Sequence, residues 1–196
     1  MPLMRYGNPF WPTPGDFSVK SAANFLGFQL IWWLMVLFQN QYVWVALILF
    51  VCHFFMVKHP WIEGGTLLGV ACAGIALDSL LTISGMFAFP QQSIMSGLIP
   101  IPIWLVALWI SFAATLRHSL SYLARRPMIA SILGGVGGPL SYLAGERFGA
   151  VVFGYSSGLT LILLAFLWAL LMPLAFVYIH YLENRLSGVK NLQGNV

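Results

Sequence analysis

The sequence predicts an all-α, polytopic transmembrane helical bundle of six spans, with both termini cytoplasmic. Three observations carry that prediction. Of the 196 residues, 60% are hydrophobic and only 7% are charged, whereas a soluble domain carries roughly 25% charged residues to cover its water-facing surface. Six apolar runs, 22–38, 42–57, 66–89, 97–116, 129–152 and 158–182, reach or approach the about 20 residues a helix needs to cross a bilayer. Finally, an inside N-terminus places Arg5, Lys20, Lys58, Arg117, Arg125, Arg126, Arg185 and Lys190 on one face and Arg147 alone on the other. That is the positive-inside pattern of a multi-pass protein of a bacterial-type inner membrane.

Residues 1–196 therefore read as one transmembrane domain. Residues 1–21, with Pro9, Phe10, Trp11, Pro12 and Pro14, form a cytoplasmic or interfacial segment. No small-residue cleavage site follows the first apolar run, so that run is expected to stay as an anchor. The first two runs are short and separated only by Gln39-Asn40-Gln41, whose amide side chains suit a tight helical hairpin. Charge, proline and glycine across 58–65 predict a break before the third run, and Pro90-Gln91-Gln92-Ser93 ends it. Arg125-Arg126-Pro127 closes the fourth run and lets proline open the fifth. Gly154-Tyr155-Ser156-Ser157-Gly158 separates the last two, and 183–196 is a cytoplasmic tail.

The net charge of +4 comes from cations scattered between apolar runs, with no basic stripe, so nucleic acid is not an expected partner and membrane lipid is. Cys52 and Cys72 lie inside apolar runs and read as small core residues rather than a disulfide. Trp44 and Trp61 suit interfacial belts, while Trp104 and Trp109 lie deeper, where they wall a cavity or simply pack.

Asp78 is the costly residue. Counted from Thr66 at about 1.5 Å per residue, its Cα stands roughly 18 Å from the inner boundary, just past the middle of a hydrocarbon core about 30 Å thick. Inserting an aspartate there costs about 2.5–3.5 kcal/mol. Ser79 is adjacent, and Thr82 shares its helix face. Two readings stand: a carboxylate that handles a proton or substrate, or an acid that ties helices together. Tyr142, counted from Ile129, reaches roughly 20 Å, so Asp78 is expected to meet Ser141 or Tyr142 across a helix interface. Asp78, Tyr142 and Ser141 are the catalytic candidates. Ser79, Thr82, Gly138, Pro139, Trp109, Arg117 and His118 are the binding candidates.

The fifth run repeats Gly137, Ser141, Gly145 and Gly149 at four-residue spacing, a flat face for close helix packing, for a second copy or for a partner membrane protein. Its Gly134-Gly135-Val136-Gly137-Gly138-Pro139 stretch also predicts a local break that exposes backbone to a ligand. Arg117, His118, Arg125 and Arg126 form a cationic patch, either a topology determinant or a seat for an anionic head group. Glu146 and Arg147 stand near the outer boundary as anchors or vestibule residues. His53 is a packing residue or a ligand. No HxxxH pair, cysteine–histidine cluster, P-loop, GxGxxG or GxSxG pattern occurs, so neither a metal site nor a cofactor is expected.

Leu77-Asp78-Ser79-Leu80-Leu81, Trp109-x-x-Phe112-x-x-Thr115-Leu116-x-x-Ser119-Leu120, Gly138-Pro139-Leu140-Ser141-Tyr142-x-x-Gly145 and Phe148-Gly149-Ala150 together resemble a family of short bacterial inner-membrane proteins catalogued only as a domain of unknown function. The resemblance spans nearly the whole chain and implies no activity or catalytic residues. It does imply a link to lipid or envelope chemistry, since members are often encoded near fatty-acyl-modifying enzymes. Three functions remain open: a membrane enzyme or accessory factor acting on lipid, a transporter or channel-like subunit, and a structural subunit without catalysis.

Overall fold

A computed structural model describes residues 19–90 and 99–193, with side chains through residue 186. Arg5, Gln91-Gln92-Ser93, Gly97 and the side chain of Lys190 lie outside the described residues. Six helices run in chain order: α1 (Val19–Phe38), α2 (Val43–Met56), α3 (Pro60–Ile83), α4 (Ile103–Leu116), α5 (Pro127–Arg147) and α6 (Ser157–Gln193). Two short strands, β1 (Phe87–Ala88) and β2 (Val152–Phe153), pair antiparallel, Phe87 opposite Phe153 and Ala88 opposite Val152. Four stretches, Val19–Met56, Pro60–Ile83, Pro127–Arg147 and Ser157–Leu186, are long and apolar enough to cross a membrane, and α4 is a shorter apolar helix. Large apolar side chains such as Leu30, Ile48, Leu68, Ile132, Phe166 and Val177 are exposed around the perimeter, a surface that water would not tolerate and lipid would.

α1 leads into a 3-10 turn, Gln39–Tyr42, where Gln39 takes a left-handed backbone (φ 53°). Polar contacts with α4 trace the path of the chain through α1, the turn and α2. Asn24, near the start of α1, donates to Ala114 O (3.1 Å) and accepts from Ser119 at the far end of α4. Asn40 in the turn accepts the backbone N–H of Trp104 at the start of α4. His53, near the end of α2, is back beside His118, their rings 5.0 Å apart. The chain therefore reverses at Gln39–Tyr42.

α3 begins six residues earlier than its apolar run. Pro60 occupies the first turn, where its missing N–H costs nothing, and Glu63 N–H bonds His59 O. The stretch 58–65 is thus mostly helix rather than a break. α3 and α5 end alike: Gly85 (φ 78°) and Gly149 (φ 73°) turn left-handed, with Met86 N–H on Leu81 O and Ala150 N–H on Gly145 O. This is the glycine-terminated Schellman cap. Residues 84–89 and 148–152, read as helix from their hydropathy, instead form these caps and the two strands.

α5 packs closely on α6. A Cβ at Gly134 or Gly138 would collide with Met172 or the Trp168 ring, so the small-residue contact uses Gly134 and Gly138, not the Gly137 stripe. α5 runs unbroken through Pro139, so the expected helix break is absent. Cys52 and Cys72 are free and exposed on the apolar perimeter, not in the core.

Replacing Gly149 by alanine places a Cβ in the left-handed region and is expected to cost about 1 kcal/mol. Gly137→Ala, with open space around it, is expected to cost nothing. Thermal unfolding of both variants in detergent checks the contrast.

Candidate functional site

α3 buries Asp78 five residues before its end at Ile83, and α5 places Tyr142 five residues before its end at Arg147. The two are therefore level. Because α3 starts at Pro60, Asp78 lies about 27 Å along the helix, toward its glycine-capped end. Tyr142 OH donates to both carboxyl oxygens of Asp78 (2.6 and 2.8 Å), and Trp109 Nε1–H of α4 donates to Oδ2 (2.6 Å). Three helices thus converge on one fully buried acid. The β1–β2 clasp covers this end, with Phe87 stacked on the Tyr142 ring (5.1 Å, 11°).

The neighbours expected beside Asp78 behave differently. Thr82 Oγ1 donates to the backbone carbonyl of Asp78 (2.7 Å) and leaves the carboxyl alone. Ser79 is half-buried and takes no part in these bonds. Ser141 bonds Trp32 instead of Asp78, its Oγ accepting from Trp32 Nε1–H (2.8 Å). Gly138 and Pro139 are buried.

Beside this triad a cavity of about 530 Å³ lies between α1, α4, α5 and α6. Its wall is apolar and aromatic, with Phe25, Trp32, Trp104, Trp109, Phe112, Trp168 and Met172, and with Gly137, Gly138, Ser141, Tyr142 and Gly145 on the α5 side. Asp78 stays behind this wall, so Tyr142 and Trp109 are what a molecule in the cavity meets. Phe25, Leu133, Gly137 and Leu140 line it and are also exposed, so the cavity reaches the apolar flank between α1 and α5. Trp109 stacks on Trp168 (5.2 Å, 10°). The indole N–H groups of Trp104 and Trp168 are buried and meet no acceptor among the described residues. Unmatched buried donors of this kind cost about 1–3 kcal/mol each unless something else satisfies them.

A second polar cluster stands at the other end, and its centre is not apparent from the sequence. Glu63, expected in a loop, is fully buried in the first turn of α3. Its Oε1 faces His53 Nε2 (2.8 Å) and His118 Nε2 (3.3 Å), and its Oε2 takes Arg117 Nη1–H (2.7 Å). Arg117 also donates to Glu183 of α6 (3.4 Å). Arg117 and His118 are therefore committed to buried carboxylates and do not form the open cationic patch expected of them. Treating Pro60 as a helix opener, as for Pro127, would have put Glu63 in the first turn of α3.

Fold and site together describe a membrane-embedded helical protein that buries two separate acid-centred clusters. Residues 21–174 match the family described as a protein of unknown function, DUF2878, and the chain belongs to that family. No curated protein and no solved structure matches it.

Glu63→Gln leaves the buried Arg117 short of its closest counter-charge, a loss of about 3–5 kcal/mol. Asp78→Asn keeps one acceptor for two donors and is expected to cost about 1–3 kcal/mol. Unfolding in detergent should rank Glu63→Gln as the more damaging. A double-mutant cycle of Asp78→Asn with Tyr142→Phe should return a coupling of about 0.5–3 kcal/mol.

Proposed function

We propose that this protein binds a chain-bearing lipid from within the membrane and presents the polar part of that lipid to Tyr142, with Asp78 orienting the phenol and accepting its proton. One observation carries the reading: an apolar cavity that opens on a lipid-facing flank and has, on its wall, a single phenol backed by a buried carboxylate. Its volume lies within the 300–1,000 Å³ usual for small-molecule sites. Tyr142 is the catalytic candidate, Asp78 is a positioning residue, and Ser141 sets the Trp32 side of the wall.

A transport role is less well supported. Along the buried face of α3, Leu67, Val70, Ala71 and Gly74 separate Glu63 from Asp78. Thr66 spends its hydroxyl on Ile62 O (2.9 Å). A Cβ at Gly74 would collide with the Trp109 ring, so the space there is filled. Among the described residues, no chain of polar groups joins the two clusters along this face.

The same proposal takes the chain as six-spanning in a bacterial inner membrane with both termini cytoplasmic. The reversal at Gln39–Tyr42 supports six passes. So does the placing of Lys20, Lys58, Arg125, Arg126 and Arg185 at the Glu63 end and Arg147 at the Asp78 end. Alkaline phosphatase fused after residue 193 should be inactive, and fused within 148–156 active.

The binding test uses a phosphatidylglycerol carrying a photoreactive acyl chain. The native chain should be labelled on α1 and α5. Gly137→Phe, built into open space at the mouth, should fold and lose labelling by about tenfold, or about 1.4 kcal/mol. Equal labelling of the two would sink the lipid reading and leave the triad a packing device. Tyr142→Phe should keep the label.

A further inference from the structure

We propose that His53, Glu63 and His118 form a site for a divalent transition-metal ion of the zinc class, separate from the lipid cavity and independent of that reading. The three residues come from the end of α2, the first turn of α3 and the residue pair that succeeds α4. Their ligand atoms all lie within 4.8 Å of one another. Two imidazoles and one carboxylate are a donor set that holds zinc with a fourth position open.

The spacing fits. Metal–ligand bonds near 2.0–2.2 Å in a tetrahedron put neighbouring ligand atoms about 3.3–3.5 Å apart. His118 Nε2 stands 3.3 Å from Glu63 Oε1, long for a hydrogen bond but the right edge for such a polyhedron. His53 Nε2, at 2.8 Å, reaches the same edge by a small rotation of its ring. The two rings meet edge to face at 87°, so both Nε2 atoms address one carboxylate oxygen from different directions.

The charges fit as well. Arg117 would be a poor neighbour for a cation if it stood alone. It binds Glu63 through the other oxygen, Oε2, and shares itself with Glu183. With a cation at Oε1, Arg117 acts from Oε2 as the outer partner that orients a ligating carboxylate. Access comes from the His118 side, whose side chain is 32% exposed while that of Glu63 is closed off. No spacing motif announces the site, because each ligand belongs to a different segment of the chain.

The test is metal binding by the full chain in detergent, stripped with a chelator and then titrated with Co²⁺ and with Zn²⁺. One ion per chain is expected, with the intense visible bands of four-coordinate Co²⁺, and Zn²⁺ should displace them. His53→Gln and His118→Gln should each weaken binding by about 100-fold or more, beyond what loss of an outer partner does. Asp78→Asn, at the other cluster, should bind as the native chain does. Absence of four-coordinate Co²⁺ bands in the native chain would overturn the proposal, whatever the variants do. So would unchanged affinity in a folded His53→Gln/His118→Gln double variant.

Discussion

Three carboxylates, Glu63, Asp78 and Glu183, are buried among helices that have almost no other charge to offer, and meeting them decides which helices stand side by side. Without water, an acid must find its donors on neighbouring elements or not be buried at all. Asp78 draws Trp109 of α4 and Tyr142 of α5 toward α3. Glu63 gathers α2, α3 and the end of α4, and Glu183 brings α6 to the same guanidinium. α1 is held differently, through Asn24 and the Trp32–Ser141 bond. That lighter attachment coincides with the flank on which the cavity opens. The helices bound by acids close the bundle, and the helix bound by amide and indole leaves a gap.

The glycine caps place the Asp78 end. Gly85 and Gly149 stop α3 and α5 at the same height above Asp78 and Tyr142, and each sends the chain directly into a strand of the clasp. Gly154 completes the closure: it donates to Met86 O, and a Cβ there would collide with the carbonyl of Gly85. Phe87 can therefore lie flat on the Tyr142 ring, fixing the phenol from above while Asp78 fixes its hydroxyl from the side. A phenol held on both its ring and its oxygen loses little further freedom on meeting a ligand, which is the use of preorganisation in a site.

Much of this was legible in the sequence, and the misses share a cause. Equal depth along two helices was enough to bring Asp78 to Tyr142, because rise per residue is rigid. The match rests on both residues standing five from the ends of their helices, since α3 begins at Pro60 rather than Thr66. Hydropathy failed at helix ends. It carried the third and fifth runs through Gly85 and Gly149 into strands, since Phe87 and Val152 are as apolar as any helix residue. It also left Glu63, Arg117, His118 and Glu183 outside or at the margins of the runs, where water is assumed to solvate a charge. Their partners lie on other segments, and sequence spacing reports only neighbours on the same helix. The stripe Gly137, Ser141, Gly145 and Gly149 does not make the α5–α6 contact, for a related reason. Gly134 and Gly138 share its four-residue spacing one position round the helix, and only the position of Trp168 shows which face meets α6.

The two clusters differ in what surrounds them, and the difference argues for a division of labour along α3. At the Asp78 end, aromatic rings and a clasp stand beside an apolar cavity that opens on the flank between α1 and α5. At the Glu63 end, charged and ionisable groups meet at the foot of the bundle, with His118 partly open. Between them the buried face of α3 is Leu67, Val70, Ala71 and Gly74, the last pressed against the Trp109 ring. Trp109 thus serves both ends: its N–H holds Asp78, its ring seals the interval below, and its stack on Trp168 continues the seal to α6. Along this face, a change at one end reaches the other by moving α3 or that indole as a body. Along this face of α3, rigid displacement of the helix is the coupling that the packing supports.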